Sequence, residues 1–259
     1  MNLVLAGDDG SDAAGRAVAW AESFAAERGL VTLVIHVGDE GGHDGAQPGS
    51  TRITVSDRYP AVAIMEVATD RGASVIVLGR RGAGGFPSLP IGTTAHVVAG
   101  SSGLPVVVVP PFHQPKRPLV GRVVVGVDRL PGSRAALEWS SRVFPEAKFE
   151  AVHALDLGPA FAHMEIEDPN VYEQAHAAAV GRMQQQWCEP LTAAGVRFDT
   201  HVVEGAPAEV LIETATRTGA DLVVVGRRSH GALQGTLGGV SQRILAYSPC
   251  PSVVMPSGG

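Results

Sequence analysis

The sequence predicts an α/β protein made of two tandem units, each a doubly wound, mostly parallel sheet with helices on both faces. Three observations carry this. Short runs such as VIVL (75–78) and VVVV (106–109) are continuously apolar, as strands buried on both faces are. These runs alternate with helical patterns, which implies right-handed crossovers. And the chain is written twice.

The first half opens LVLAGDDGSDAAGRAVAWAES (3–23) and the second VVVGVDRLPGSRAALEWSSRV (123–143). Each reads as a buried strand, an acidic turn and an amphipathic helix. Asp9 aligns with Asp128 at an offset of 119, and His36 with His153 at 117. ITVSDRYPA (53–61) then aligns with THVVEGAPA (200–208) at 147, so the second half is 30 residues longer here. The extra segment, 158–195, reads as one long helix. The first half has only the Gly-rich GDEGGHDGAQPGS there. VIVLGRRG (75–82) matches LVVVGRRS (222–229) at 147, and the last strands, 104–110 and 250–256, match at 146. Each half thus reads β-α-β-(α)-β-α-β-loop-α-β, the first lacking one helix. The Pro-rich stretch 110–121 is the joint, giving units 1–112 and 119–259.

Composition bounds the function. Of 259 residues 45% are hydrophobic and 18% charged, an ordinary globular balance. The net charge of −6, with no basic block, argues against nucleic acid and anionic membranes as partners. No run approaches the roughly 18 apolar residues of a membrane span. The opening MNLVLAGDDG lacks a basic region and a long apolar run, so a cytoplasmic location is expected. Two cysteines, Cys188 and Cys250, make neither a disulfide framework nor a metal site.

The chemistry is concentrated in GRRGAGGFPSLPIGT (79–93). Gly79, Gly82, Gly92 and Thr93 form a G-x2-G-x9-G-T pattern between a strand and a helix. A glycine-rich turn at a helix N-terminus brings backbone N–H groups close to an anion. The second copy, GRRSHGALQGTLGG (226–239), is altered: Ser229 replaces the second glycine, and Gly239 stands where the hydroxyl residue belongs. The intact loop is therefore expected to hold phosphate better. Asp9 and Asp128 read as helix caps, ligand contacts or both. His36 and His153 read as hydrogen-bonded strand histidines. Arg80, Arg81, Arg227 and Arg228 read as phosphate-flanking or solvated. No catalytic triad or acid/base pair is legible.

Tandem halves, the glycine motif and a closing strand CPSVV together resemble the universal stress protein family, over essentially the whole chain. The resemblance implies flavodoxin-like or Rossmann-like units (adenine nucleotide alpha hydrolase-like) of five strands each, binding of ATP in many members, and dimers formed through the last strands. It implies a site in the first half made of Asp9, Val37 beside adenine, Gly79 near the ribose, and Arg80, Gly82, Gly92, Thr93 and Thr94 around the phosphates. The second-half equivalents are Asp128, Ala154, Gly226, Ser229, Gly238, Gly239 and Val240. The expected function is an ATP-binding stress regulator or sensor rather than an efficient enzyme, with Mg, ADP and AMP as further ligands. The alternatives are a slow ATPase or adenine-nucleotide hydrolase, or a scaffold without nucleotide. One chain then resembles a dimer, its halves pairing through 106–109 and 252–255, and a homodimer can be built on top.

Overall fold

The computed structural model describes residues 3–38, 50–56, 58–83, 90–114, 116, 119–156, 170–227 and 237–256, with 170–172 as backbone. The first half runs β1 (Leu3–Asp8), α1 (Asp12–Arg28), β2 (Val31–Val37), β3 (Ser50–Val55), α2 (Pro60–Asp70), β4 (Val75–Gly79), α3 (Thr93–Ser101) and β5 (Val106–Val109). The second runs β6 (Arg122–Gly126), α4 (Pro131–Val143), β7 (Lys148–Leu155), α5 (Asn170–Arg182), a π turn (Met183–Trp187), α6 (Glu189–Ala193), β8 (Arg197–Glu204), α7 (Pro207–Thr218), β9 (Leu222–Gly226), α8 (Gly239–Tyr247) and β10 (Ser252–Met255).

Local signals set the ends of the helices. Ser11 caps α1 by accepting from the Ala14 amide at 3.1 Å, and Gly29 closes it in the left-handed region (φ 63°). Between these ends Ala14, Ala17, Val18, Ala21 and Phe24 recur at helical spacing and are buried. Proline opens α2, α4 and α7, where the missing N–H costs nothing.

The ten strands form one sheet in the order β3-β2-β1-β4-β5-β10-β9-β6-β7-β8. All neighbours are parallel except β5 and β10. Val107 lies directly opposite Val253, its own repeat equivalent, so the pseudo-twofold axis passes between them. Pairing these two apolar strands removes what would otherwise be an exposed edge in each half. Successive residues serve opposite faces: Val107 and Val109 join one core, Val106 and Val108 the other. Both cores run without a break across the two halves. On the first face α1 meets α4, with Phe24 and Phe144 ring centroids 5.9 Å apart. The Arg28 guanidinium lies over both rings, at 4.7 and 4.5 Å.

Most registers reproduce the repeat. Leu3 pairs with Val31 as Arg122 does with Lys148, and Val4 with Val75 as Val123 does with Leu222. The outermost strands differ from expectation. Ile35 pairs with Ile53 and its equivalent Val152 with His201, so β3 and β8 correspond at an offset of 148, not 147. Because side chains alternate, that single residue decides which face each one serves.

The inserted segment also departs from the expected single helix. Pro190 has no N–H to continue an α-helix, and its ring would strike the carbonyl four residues back. The chain instead widens into a π turn, in which the Cys188 amide donates to the Met183 carbonyl at 3.1 Å, and restarts as α6. Residues 158–169 of the insert lie outside the described residues. Among the described residues, no helix of the first half takes the place of α5 and α6, and no helix is long and apolar enough to cross a membrane.

Candidate functional site

Each half has a cavity at the carboxyl ends of its central strands, of about 270 Å3 in the first half and about 280 Å3 in the second. In a doubly wound sheet this is the crevice where ligands enter.

In the first half the cavity is lined by Asp9 after β1, Val37 on β2, Gly79 on β4, Gly82 in the glycine loop, and Gly92, Thr93 and Thr94 at the start of α3. Seven expected residues thus share one space. No side chain caps α3, whose N-cap is Gly92. The first turn of a helix has amides without intrahelical acceptors, and here that turn (Thr93, Thr94, Ala95) faces the cavity.

Asp9 ties the two glycine-bearing segments together. Its carboxylate accepts from the Ser11 amide at 3.1 Å and from the Ala83 amide at 2.7 Å. A Cβ on Gly82 would lie 1.9 Å from Asp9 Oδ2, so a larger residue would have to displace that carboxylate, while the φ of Gly82 is not left-handed. Ser229, the Gly82 equivalent, lies outside the described residues, as does Arg228. The neighbouring Asp8 is buried, which pushes its carboxyl up. The hydrogen bond from Arg52 and that from the Gly10 amide (3.0 Å) more than reverse this and hold it below the usual carboxylate range. Asp8 therefore reaches the cavity wall already paired with a cation.

At Gly79 the geometry shows close packing: a Cβ would sit 2.9 Å from the Ala13 carbonyl oxygen, at the start of α1. Gly226 is tighter still, at 2.3 Å from the Gly132 carbonyl carbon. These glycines let α1 and α4 approach the sheet.

Arg80 is not brought to the cavity. It is buried, and its Nη2 donates to the Ser248 carbonyl of the other half at 2.6 Å. Its main chain still serves the loop, the Arg80 carbonyl accepting from the Gly92 amide at 2.8 Å. Arg81 does line the cavity.

The second cavity gathers Asp128, Ala154, Gly226, Gly238, Gly239 and Val240. Asp128 accepts from the Leu130 amide at 2.9 Å. Gly238 is the N-cap of α8, again without a side-chain cap. His153 donates from Nδ1 to the Val127 carbonyl at 2.8 Å, as His36 does to the Asp8 carbonyl at 2.9 Å. Both rings are half-buried and hydrogen-bonded within the sheet. His153 is also covered by Trp187 from the π turn, with ring centroids 4.9 Å apart.

Pro60 and Pro207 form part of the two cavities. In the sequence they serve only to align the repeats, and their recurrence is the signal that marks them. Arg52 carries no such signal, because its pairing with Asp8 depends on the β2–β3 register.

The statistical model of the universal stress protein family matches residues 43–110 and 120–256. A universal stress protein of Mycobacterium tuberculosis is 32% identical over 195 residues, covering 71% of this chain and 59% of that protein. The matched part thus spans about three fifths of that mycobacterial relative. A universal stress protein of Thermus aquaticus is 32% identical over 111 residues, 42% of this chain and 77% of its own. In fold, the crystal structure of a universal stress protein from Archaeoglobus fulgidus superposes with a TM-score of 0.71 at 20% identity, covering 99% of both chains. With the family's model matched across both halves, the chain belongs to the universal stress protein family.

Proposed function

We propose that this protein binds an adenine nucleotide in the first-half cavity, with the second-half cavity as a further site, and acts as a nucleotide-dependent stress-response regulator. The observation that carries this reading is the uncapped N-terminus of α3 facing a space that Asp9, Val37 and Gly82 also line. Helix dipole and free amides there suit a phosphate group. Val37 and Ile35 on β2 offer an apolar wall for a base, and Thr93 a hydroxyl. Units 1–112 and 119–259 are the working division, each with its own site.

A regulator is favoured over an efficient enzyme by the lining of the cavities. The carboxylates placed there, Asp8, Asp9 and Asp128, already accept hydrogen bonds from Arg52, Gly10, Ser11, Ala83 and Leu130. A base must be able to reach the attacking water. The test is to denature purified protein and identify released nucleotide, then titrate emptied protein with ATP, ADP and AMP by calorimetry. Binding with little steady phosphate release supports the reading. Absence of binding by all three overturns it in favour of a scaffold. Phosphate release that Gly82→Val abolishes overturns it in favour of a hydrolase.

A further inference from the structure

We infer that Arg80 and Arg227 are positioning residues that act across the two halves. Each holds, from its C-terminal end, the helix whose N-terminus lines the other half's cavity. The inference rests on the nucleotide reading of those cavities for its functional consequence, and on hydrogen bonds for its geometry.

Arg227 leaves the end of β9 and crosses to α3. Its Nη1 donates to the carbonyls of Gly100 at 2.7 Å, Ser102 at 3.0 Å and Ala99 at 3.4 Å. Arg80 leaves the end of β4 and crosses to α8, donating to the Ser248 carbonyl at 2.6 Å. Ser102 and Ser248 are the C-caps of α3 and α8. The two contacts are thus repeat equivalents, placed either side of the axis between Val107 and Val253.

Helix C-termini carry unsatisfied carbonyls and a partial negative charge, and a basic residue in the last turn usually answers both. Neither α3 nor α8 has one. The opposite half supplies it. Among the described residues neither guanidinium has a carboxylate partner; the helix end offsets burying the charge, and for Arg80 the Phe112 ring, 5.8 Å away, adds to it. Burial pushes Arg80 down to about 10, which leaves it protonated at neutral pH.

The consequence is a link between the cavities. Each helix has nine residues, about 14 Å of rise, and is too short to be stable alone. Its N-terminus forms one cavity and its C-terminus is held from the other half. Arg227 also lines the second cavity, so α3 touches the first cavity at one end and a wall residue of the second at the other. Ordering α3 around a ligand tightens its grip on Arg227, and by linkage the reverse holds.

The experiment uses the full chain with Arg80→Met, which keeps bulk and removes charge, and Arg80→Lys. Amide hydrogen exchange without ligand is read over 93–101 and 239–247. ATP binding is read by calorimetry in two backgrounds, Gly82→Val to disable the first cavity and Gly238→Val to disable the second. Arg80→Met is expected to speed exchange in 239–247 about tenfold and more than in 93–101. It should weaken ATP about tenfold in the Gly82→Val background, and by less than threefold in the Gly238→Val background. Arg80→Lys should recover part of both effects, which separates positioning from misfolding. Faster exchange confined to 93–101, or equal loss in both backgrounds, overturns the inference. If the unmodified chain takes up no adenine nucleotide, the nucleotide reading falls, and the exchange pattern alone decides the positioning role.

Discussion

The Asp9 carboxylate accepts a hydrogen bond from the Ala83 amide at 2.7 Å, joining the turn after the first strand to the glycine loop. The joint exists because Gly82 has no Cβ; one would lie 1.9 Å from Asp9 Oδ2. Gly82→Ala is therefore expected to push Asp9 aside and release the loop from β1. Gly82 is exposed, so the core is not involved. ATP affinity should fall at least tenfold, about 1.4 kcal/mol, while the urea midpoint stays within error. Calorimetry on the variant checks the first, and an unchanged affinity would detach this loop from the site.

Gly79 and Gly226 should behave in the opposite way. A Cβ on either meets backbone at the start of the first helix of its own half, α1 at 2.9 Å for Gly79 and α4 at 2.3 Å for Gly226. Backbone cannot rotate away as a side chain does. Overpacking of this kind costs roughly 1–3 kcal/mol. Gly226→Ala should lie at the upper end and Gly79→Ala at the lower, measured by urea unfolding. Equal stability of both variants and the parent would show that α1 and α4 sit more loosely than described.

These two cases mark where the sequence is legible and where it is not. The repeat is plain in it, and so are the central strands, because a run such as VVVV at 106–109 has only one comfortable place, in a sheet covered on both faces. The position of the glycine loop follows from that order. The reason for each glycine does not: Gly79 and Gly82 look alike in the motif, yet one admits a helix and the other a carboxylate. Arg80 and Arg81 are equally indistinguishable in GRRG, and only the three-dimensional path sends one to the interface and the other to the cavity. The one-residue shift of β3 against β8 is hidden because both strands are outermost and their weakly patterned faces leave the alignment free to slide. The break in the inserted helix was there to be read, in Pro190.

The two thiols should be inert in the folded chain. Both are buried. Burial pushes Cys188 up to about 11 and Cys250 up to about 12. The thiolate is the reactive form, and at pH 8 almost none is present. Native protein should resist iodoacetamide over hours at pH 8, with both sites alkylated within minutes in urea. Modification of either in the native state would require local opening at the insert or at the β10 entrance.

Arg52 governs how stability responds to acid. Asp8 is held below its ordinary range when folded, so it contributes stability that is fully present above about pH 4. That contribution is lost as pH falls through the folded value. Arg52→Met removes the cation but leaves the burial, so the carboxyl of Asp8 moves up instead. Charge on Asp8 then costs stability at neutral pH, roughly 1–3 kcal/mol for a buried group that has lost its partner. The penalty shrinks as Asp8 takes up a proton. Urea midpoints of parent and variant should thus be far apart at pH 7 and converge toward pH 3. Adding Asp8→Asn to both should bring the two curves together at every pH, since the charge that Arg52 answers is then gone. Parallel curves from pH 7 to 3 would show that Asp8 is not what Arg52 stabilises.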